Sequence, residues 1–441
     1  MRVFENLKTG RTFLVLTAAL FINAGMLFVV LPASSDILSP GRYSTEFVDL
    51  YDQIANNLVQ GNGYRIYADM AETMVREPGY PLFLATVFKI GGYHIEAVRL
   101  ANLLLVLGIC FMMMRFARRV TGDGVIALIA VLMFLFHPGT LIAEARGGTE
   151  IAFIFALLVL MLALHHAVEK GELWRYFFAG SMLGLANLVR STALMFPLFL
   201  LVYLAFIANG TSERLKVVFK TAVLVLGMVV VMLPWVIRNY VLVHEFVPTA
   251  TVLGLATQEG QYTCKHFSFD RDFYELEIEA GHERNELARR LGIPFRDTYF
   301  QVFYDARDET VFNKILLQRA AMEYGSDPTL LARCVMRNLF FNFWFLGKTW
   351  RVTWLNVLIQ VPFLLLALGG ACSLWKRRLL RKMGIILTFV VYLPLVHAPV
   401  VAIARHSLSV LPFLTILASI SLVSIWRAYR TQAPREAVYG P

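Results

Sequence analysis

The chain alternates long apolar runs with short polar stretches in which the charges are clumped. A run of roughly 18 or more apolar residues reads as a membrane-spanning helix. Such runs recur from Thr12 to Trp426 and predict helices over 12–33, 97–115, 124–143, 149–168, 175–189, 192–208, 218–238, 353–375, 383–402 and 408–426. The segments at 175–189 and 192–208 are short and read as one broken unit, which a membrane tolerates where the break lines a polar cavity. No single soluble core could hide so many apolar runs. The pattern therefore predicts an all-α polytopic membrane protein with about ten transmembrane helices. The stretch Thr12–Leu31 follows Arg2, Lys8 and Arg11 and precedes Ala33-Ser34-Ser35, as a signal peptide would. It exceeds the apolar core of such a peptide, roughly 7–15 residues, and is predicted to stay as the first helix.

Charge orients this array. The net charge is +10, and 58% of residues are hydrophobic. Lys8 and Arg11, Arg115, Arg118 and Arg119, Lys170 and Arg175, Arg214, Lys216 and Lys220, Lys376–Lys382, and Arg427 and Arg430 all fall in loops on one side of a ten-span array. By the positive-inside rule that side is cytoplasmic, which places both termini there. A multi-pass protein of the cell inner (plasma) membrane is expected. No basic patch is interleaved with stacking aromatics, so nucleic acid is not an expected partner. The dense basic loop Lys376–Lys382 reads as a topology anchor touching anionic membrane lipids.

The other side carries two long polar segments, about 34–96 and 239–352. The chain then divides into transmembrane helices 1–7 over 1–238 with the first outer loop at 34–96, an extracytoplasmic, mostly helical domain at 239–352, and helices 8–10 with a cytoplasmic tail over 353–441. Cys264 and Cys334 fall in the outer domain and form a disulfide if they are close and the compartment is oxidising. Cys110 and Cys372 read as apolar filler.

The chemistry-bearing residues gather on the outer side. Ser44–Ala55 predicts an amphipathic surface helix in which Glu46, Asp49 and Gln53 share a face; Asp52 lies on the same short helix. The run Arg76-Glu77-Pro78-Gly79-Tyr80-Pro81 ties a charge pair to a rigid bend. Glu150 opens the fourth helix, where an acid also complements the helix dipole. Arg190 interrupts an apolar region, a costly place that usually faces a cavity or an anion. Arg238 closes the seventh helix beside Trp235 and Tyr240, and Arg405 stands at the outer end of the ninth, next to His406. These arginines run against the charge bias of that face. Arginine grips phosphate through paired hydrogen bonds, and nearby carboxylates suit general base work or metal binding.

The order of these segments resembles a known family. Tyr51, Ala55, Leu58 and Gly61-Asn62-Gly63-Tyr64 precede Arg76-Glu77-Pro78-Gly79-Tyr80-Pro81. Thr149-Glu150, Gly184-Leu185-Ala186 leading to Arg190, Pro234-Trp235, Arg238-Asn239-Tyr240, Phe246-Val247-Pro248, and Arg405 with Pro412 follow. The chain resembles GT-C membrane glycosyltransferases of the family 39 type, which includes protein O-mannosyltransferases and the bacterial aminoarabinose transferase for lipid A. The resemblance implies a GT-C fold with juxtamembrane helices in the first outer loop. It implies transfer of a sugar from a polyprenyl-phosphate donor to a glycan, lipid or protein acceptor, with inversion, on the extracytoplasmic side. A first-loop acid would act as general base, and Arg190, Arg238 and Arg405 would hold the leaving phosphate. Glu150 matches the family's acid at the fourth helix, which orients substrate or binds a cation. Metal need varies in the group, so a divalent cation is admitted without being required. The family's acid falls four residues before the tyrosine matching Tyr51; that position is Phe47, flanked by Glu46 and Asp49. Asp49 is assigned as the base, with Glu46 second; a one-residue shift turns a helical side chain by about 100°. Asp52, Arg76, Glu77, Tyr80, Glu150 and His406 complete the predicted substrate surroundings.

Three other readings compete. A glycan ligase would use a polyprenyl-diphosphate donor. A lipid-linked oligosaccharide transporter would show repeated halves and midplane polar sites. A catalytically dead scaffold would explain Phe47. The identity of the sugar and the acceptor has no signature in the sequence.

Overall fold

The computed structural model describes residues 9–30, 50–268, 271, 273–297, 301–341, 350–376, 380–401 and 404–432. They are almost entirely helical. Helix α1 (Thr9–Gly25) runs into a π-helical turn, Met26–Val30. The first long polar segment, expected to be the first outer loop, holds α2 (Tyr51–Val59) and α3 (Gly79–Gly91). Then come α4 (Ile95–Thr121), α5 (Gly124–Leu135), α6 (Pro138–Ala145), α7 (Glu150–Lys170), α8 (Leu173–Val189), α9 (Phe196–Ile207) and α10 (Thr211–Val243). The second long polar segment, expected to be the outer domain, holds α11 (Leu253–Lys265), α12 (Phe273–Arg290), an antiparallel pair β1 (Phe295–Arg296) and β2 (Val302–Phe303), α13 (Ala306–Ser326) and α14 (Pro328–Phe341). Helices α15 (Trp350–Lys376), α16 (Leu380–His397) and α17 (Leu411–Gln432) close the chain; a 3-10 segment, Ala404–Val410, leads into α17.

Among the described residues, five helices are long and apolar enough to cross a membrane, and the pair α5–α6, bent by 54°, makes a sixth. Ten full-length spans are therefore not what length and composition count. The apolar segments expected at 12–33, 192–208 and 383–402 are present as shorter helices. The chain is broken where the sequence puts proline or a charge: Pro138 starts α6, Arg190 ends α8, and Pro197 lies in the first turn of α9. Large apolar side chains such as Phe111, Leu198, Phe206 and Leu368 are exposed on these helices, as a lipid-facing surface requires.

One continuous apolar core joins the helices, with Ile109, Phe134, Leu157, Leu183, Phe389 and Phe413 fully or almost fully buried. Glycines set the closest approach. Gly180 of α8 abuts the Leu224 carbonyl and Gly227 of α10 abuts the Phe177 carbonyl, so the two backbones touch where a side chain would not fit. A separate cluster of Tyr51, Ala55, Tyr80, Leu84, Phe88, Ile95 and Val98 binds the first outer loop to α4. Cys264 and Cys334 are joined as a disulfide, Cα–Cα 5.6 Å, which fastens α11 to α14.

Candidate functional site

Two arginines meet one carboxylate at a chain break. Glu150 is buried at the start of α7, and its Oε1 lies 3.9 Å from Arg190 Nη1 and 4.0 Å from Arg405 Nε. The break before α7 is held by α4: Arg99 Nε donates to the Ala145 carbonyl (3.1 Å), and Asn102 Nδ2 donates to the carbonyls of Glu144 (3.1 Å) and Arg146 (3.3 Å). Gly148 leaves room for the Glu150 carboxylate, which a Cβ at that position would displace.

Arg190 is positioned from the first outer loop. Arg190 leaves the helical region at the end of α8 (φ −158°), and the next residues form a short 3-10 turn, Ser191–Ala193. Glu77 Oε1 caps that turn: it accepts the Ser191 amide (3.1 Å) and the Ser191 hydroxyl (2.5 Å). Gly79 makes the reach possible, since its Cα packs on the Leu188 carbonyl, where a Cβ would stand at 2.7 Å. From the opposite side the Tyr392 hydroxyl donates to the Thr192 carbonyl (2.6 Å). The bend predicted at Arg76–Pro81 is thus a brace for Arg190.

The same bend carries aromatic and charged neighbours. Tyr80 is fully buried, meets Tyr51 edge-on at 5.2 Å, and keeps a hydroxyl with no hydrogen-bond partner among the described residues. Arg76 is buried with its guanidinium 5.2 Å from the Tyr51 ring. Tyr64 locks the bend by donating to the Arg76 and Glu77 carbonyls (3.0 and 3.1 Å). Asp52 is buried on α2 and accepts a hydrogen bond from the Tyr93 hydroxyl; burial raises its carboxyl above the ordinary range, and the Tyr93 bond partly opposes this. Asp49 and Glu46, assigned as general base and second choice, lie outside the described residues. Leu50, directly after Asp49, takes a left-handed conformation at φ 65°, a strain of about 1–2 kcal/mol for such a residue.

Arg238 goes elsewhere. Its Nη2 binds Glu72 Oε2 (2.9 Å), its Nη1 donates to the Thr73 carbonyl (2.9 Å), and its guanidinium covers Trp235 at 4.8 Å. Among the described residues no contact joins it to Glu150, Arg190 or Arg405. His406 is buried with its ring tilted against that of His397, ring centroids 4.3 Å apart.

Glu309, His397, Glu72, Tyr93 and Ser191 matter to this architecture and were not singled out from sequence. Glu309 accepts from the Thr73 hydroxyl (2.6 Å), the Met74 amide (3.1 Å) and the Thr251 hydroxyl, which latches the outer domain to the first loop. Its partners lie far away in sequence, so no local pattern could reveal it. His397 did carry a signal, being an ionisable residue within an apolar run.

Electrostatically, two cations share one anion. The Glu150 oxygen sits beyond hydrogen-bond distance of both guanidiniums, and Arg190 Nη1 is buried with no hydrogen-bond partner among the described residues. A buried guanidinium nitrogen of Arg190 without a partner among the described residues suits an anionic group. Among the described residues no cluster of three or more His, Cys, Asp or Glu could hold a metal ion.

A helical bundle with a chain break at its charged centre, a brace from the first long polar segment and an attached, mostly helical second polar segment has the fold of GT-C membrane glycosyltransferases. Residues 75–237, the stretch that contains the bend, Glu150 and Arg190, match the family model described as dolichyl-phosphate-mannose-protein mannosyltransferase. The oligosaccharyltransferase of Archaeoglobus fulgidus in its apo form superposes at a TM-score of 0.55 with 15% identity, over 99% of this chain and 53% of that one. The archaeal oligosaccharyltransferase AglB from the same organism, in complex with an inhibitory peptide and a dolichol-phosphate, superposes at 0.50 with 13% identity, over 97% and 52%. The chain thus spans about half the length of these oligosaccharyltransferases. ArnT from Cupriavidus metallidurans bound to undecaprenyl phosphate gives 0.44 with 14% identity, over 97% and 82%, too loose a likeness to carry an argument. Among curated proteins, none matches the chain by sequence.

Proposed function

We propose that the protein is a membrane glycosyltransferase that moves a sugar from a polyprenyl-phosphate donor to an acceptor glycan, lipid or protein on the extracytoplasmic side. The convergence of Arg190 and Arg405 on Glu150 carries this reading. A phosphate entering between the guanidiniums meets preorganised donors at the place where charge develops as the sugar leaves. Tyr80 and Arg76 line the approach from the first loop. A first-loop carboxylate, Asp49 or Glu46, takes the acceptor proton, and attack opposite the leaving phosphate inverts the anomeric centre. Arg238 serves here as the brace of the first loop, with the phosphate left to the other two arginines. No step passes through a metal ion. Likeness to an oligosaccharyltransferase in complex with a dolichol-phosphate supports a lipid-linked donor.

Sidedness follows from charge. Glu150 opens α7 and Lys170 ends it; Arg118 and Arg119 end α4, and Arg430 lies in the last turn of α17. The basic ends define the cytoplasmic face, and the Glu150 centre is at the other.

The test uses purified protein in nanodiscs with polyprenyl-phosphate and polyprenyl-diphosphate sugars. Arg190→Ala and Arg405→Ala should each lower transfer by about 10²–10³-fold with unchanged helical content. Transfer only from the diphosphate would favour the ligase reading; movement of intact donor across the bilayer would favour a transporter. Full activity in both variants would remove the basis of the assignment.

A further inference from the structure

Helix α14 is fastened along one face and open along the other. Leu330, Cys334 and Asn338 recur every four residues and are buried. Cys334 is joined to Cys264 of α11. Asn338 Nδ2 donates to the carbonyls of Ala398 (2.9 Å) and Val400 (2.7 Å), directly after α16. The Tyr324 hydroxyl donates to the Pro399 carbonyl between them (3.1 Å), and Gly260 packs its Cα on the Val400 carbonyl. Ala332, Met336 and Phe340 are each offset by two residues from the buried row. At about 100° per residue this turns them to the opposite face. All three are exposed, Met336 at 69% and Phe340 at 51%. Half-buried Leu331, Val335 and Leu339 widen the stripe on one side, and exposed Arg333 borders it on the other. Arg337 covers the Phe267 ring.

Two observations bear on what covers this stripe. The first is height. Asn338 grips the chain immediately after α16, one of the apolar helices of the bundle, so α14 lies level with the place where the chain leaves the apolar layer. The second is continuity. Phe341 is followed nine residues later by Trp350, the start of α15, which from Leu358 onward is long and apolar enough to cross a membrane. Nine residues span at most about 30 Å. The connecting sequence Phe341-Asn342-Phe343-Trp344-Phe345 has the aromatic composition of a membrane interface. A stripe of three side chains on one helix is too narrow for a stable protein interface, which buries about 1,200 Å² or more.

We propose that α14 is a membrane-surface helix whose Ala332–Met336–Phe340 stripe enters the boundary between lipid headgroups and acyl chains, with Arg333 at the level of the lipid phosphates. The occupant is the lipid of the adjoining leaflet. The placement is independent of the transfer chemistry. It has a structural consequence all the same: the helix that meets the lipid also holds Ala398 and Val400, shortly before Arg405, so the membrane contact and the chain break that carries this arginine share one support.

The experiment is spin labelling of the full chain in liposomes of phosphatidylethanolamine and phosphatidylglycerol. With Cys110 and Cys372 changed to serine and the disulfide kept, Met336→Cys and Phe340→Cys each take a nitroxide. Arg290→Cys on α12, where the native side chain is 74% exposed, is the aqueous reference. Both stripe side chains are exposed, so the labelled variants should melt with the unlabelled chain. The ratio of collisions with oxygen to collisions with a water-soluble nickel chelate should be several-fold higher at both stripe positions than at the reference. The depth it reports should be roughly 5–10 Å below the headgroup boundary. Nickel access at Met336 and Phe340 equal to that at Arg290 overturns the proposal. Protection from both reagents overturns it as well: with dipolar broadening between labels, a second copy covers the stripe, and without it another part of the chain does.

Discussion

At the residue scale, buried acids divide by what surrounds them. Glu309 has three donors, and Glu150 has two guanidiniums near 4 Å. The first is a latch, the second a centre with attraction left over. Burial raises the Glu309 carboxyl above its ordinary range, although its hydrogen bonds oppose this. A raised folded-state value means that the fold binds the proton more tightly than the open chain does. The stabilisation is full below the unfolded value and is lost as pH rises through the folded one. The native protein should therefore lose melting temperature relative to Glu309→Gln on going from pH 5 to pH 8, because the amide cannot titrate. Glu309→Ala strands two hydroxyls and an amide and should cost roughly 2–4 kcal/mol at any pH. Thermal melts in detergent at both pH values decide the matter; a pH-independent gap between native and Gln forms would refute it. Legibility differed in the same way. Glu150, Arg190 and Arg405 could be read from sequence, because a charge flanked by apolar residues is expensive and asks for a partner. Arg238 gave the same signal, yet its partner is Glu72 and not Glu150. A guanidinium reaches several ångströms in any direction, and sequence holds no record of which acid it meets.

At the element scale, the helices were visible in hydrophobic runs and their breaks in proline and charge. The run expected over 124–143 is two helices bent by 54° at His137-Pro138, with His137 Nδ1 accepting the Gly139 amide at 3.1 Å. Proline at a first helical turn fits that geometry and cannot continue the preceding helix. Inter-helix distances were not visible, since periodicity does not say which glycine faces a neighbour. Gly180 and Gly227 do, each against a backbone carbonyl. A Gly180→Val substitution should drive α8 and α10 apart at a cost of about 1–3 kcal/mol or more. It should also shift Arg190, which α8 carries at its end. Gly25→Ala is the control: nothing lies within 4 Å of its Cβ, and stability should hold or rise slightly. Melting temperature of the purified variants separates them; equal losses at both positions would dispose of the close-packing argument.

At the scale of the whole molecule, two independent observations bear on which end faces the cytoplasm. Basic residues crowd the ends of α4 and α17, which a positive-inside bias assigns to the cytoplasm. The Cys264–Cys334 disulfide ties the outer domain, and such bonds persist in oxidising compartments. Charge bias and thiol chemistry have different physical origins, and both support the proposed extracytoplasmic placement of the disulfide-bonded domain. Arg290 of α12 and Tyr429 of α17 give each end an exposed reporter, with side-chain exposure of 74% and residue exposure of 75%. With Cys110 and Cys372 changed to serine, Arg290→Cys should react with a membrane-impermeant maleimide in intact cells. Tyr429→Cys should react only after the membrane is opened. The reverse pattern would place the arginine pair on the cytoplasmic side, where the donor would have to be presented from the opposite leaflet. Equal labelling of both would mean that the bundle does not hold a single orientation.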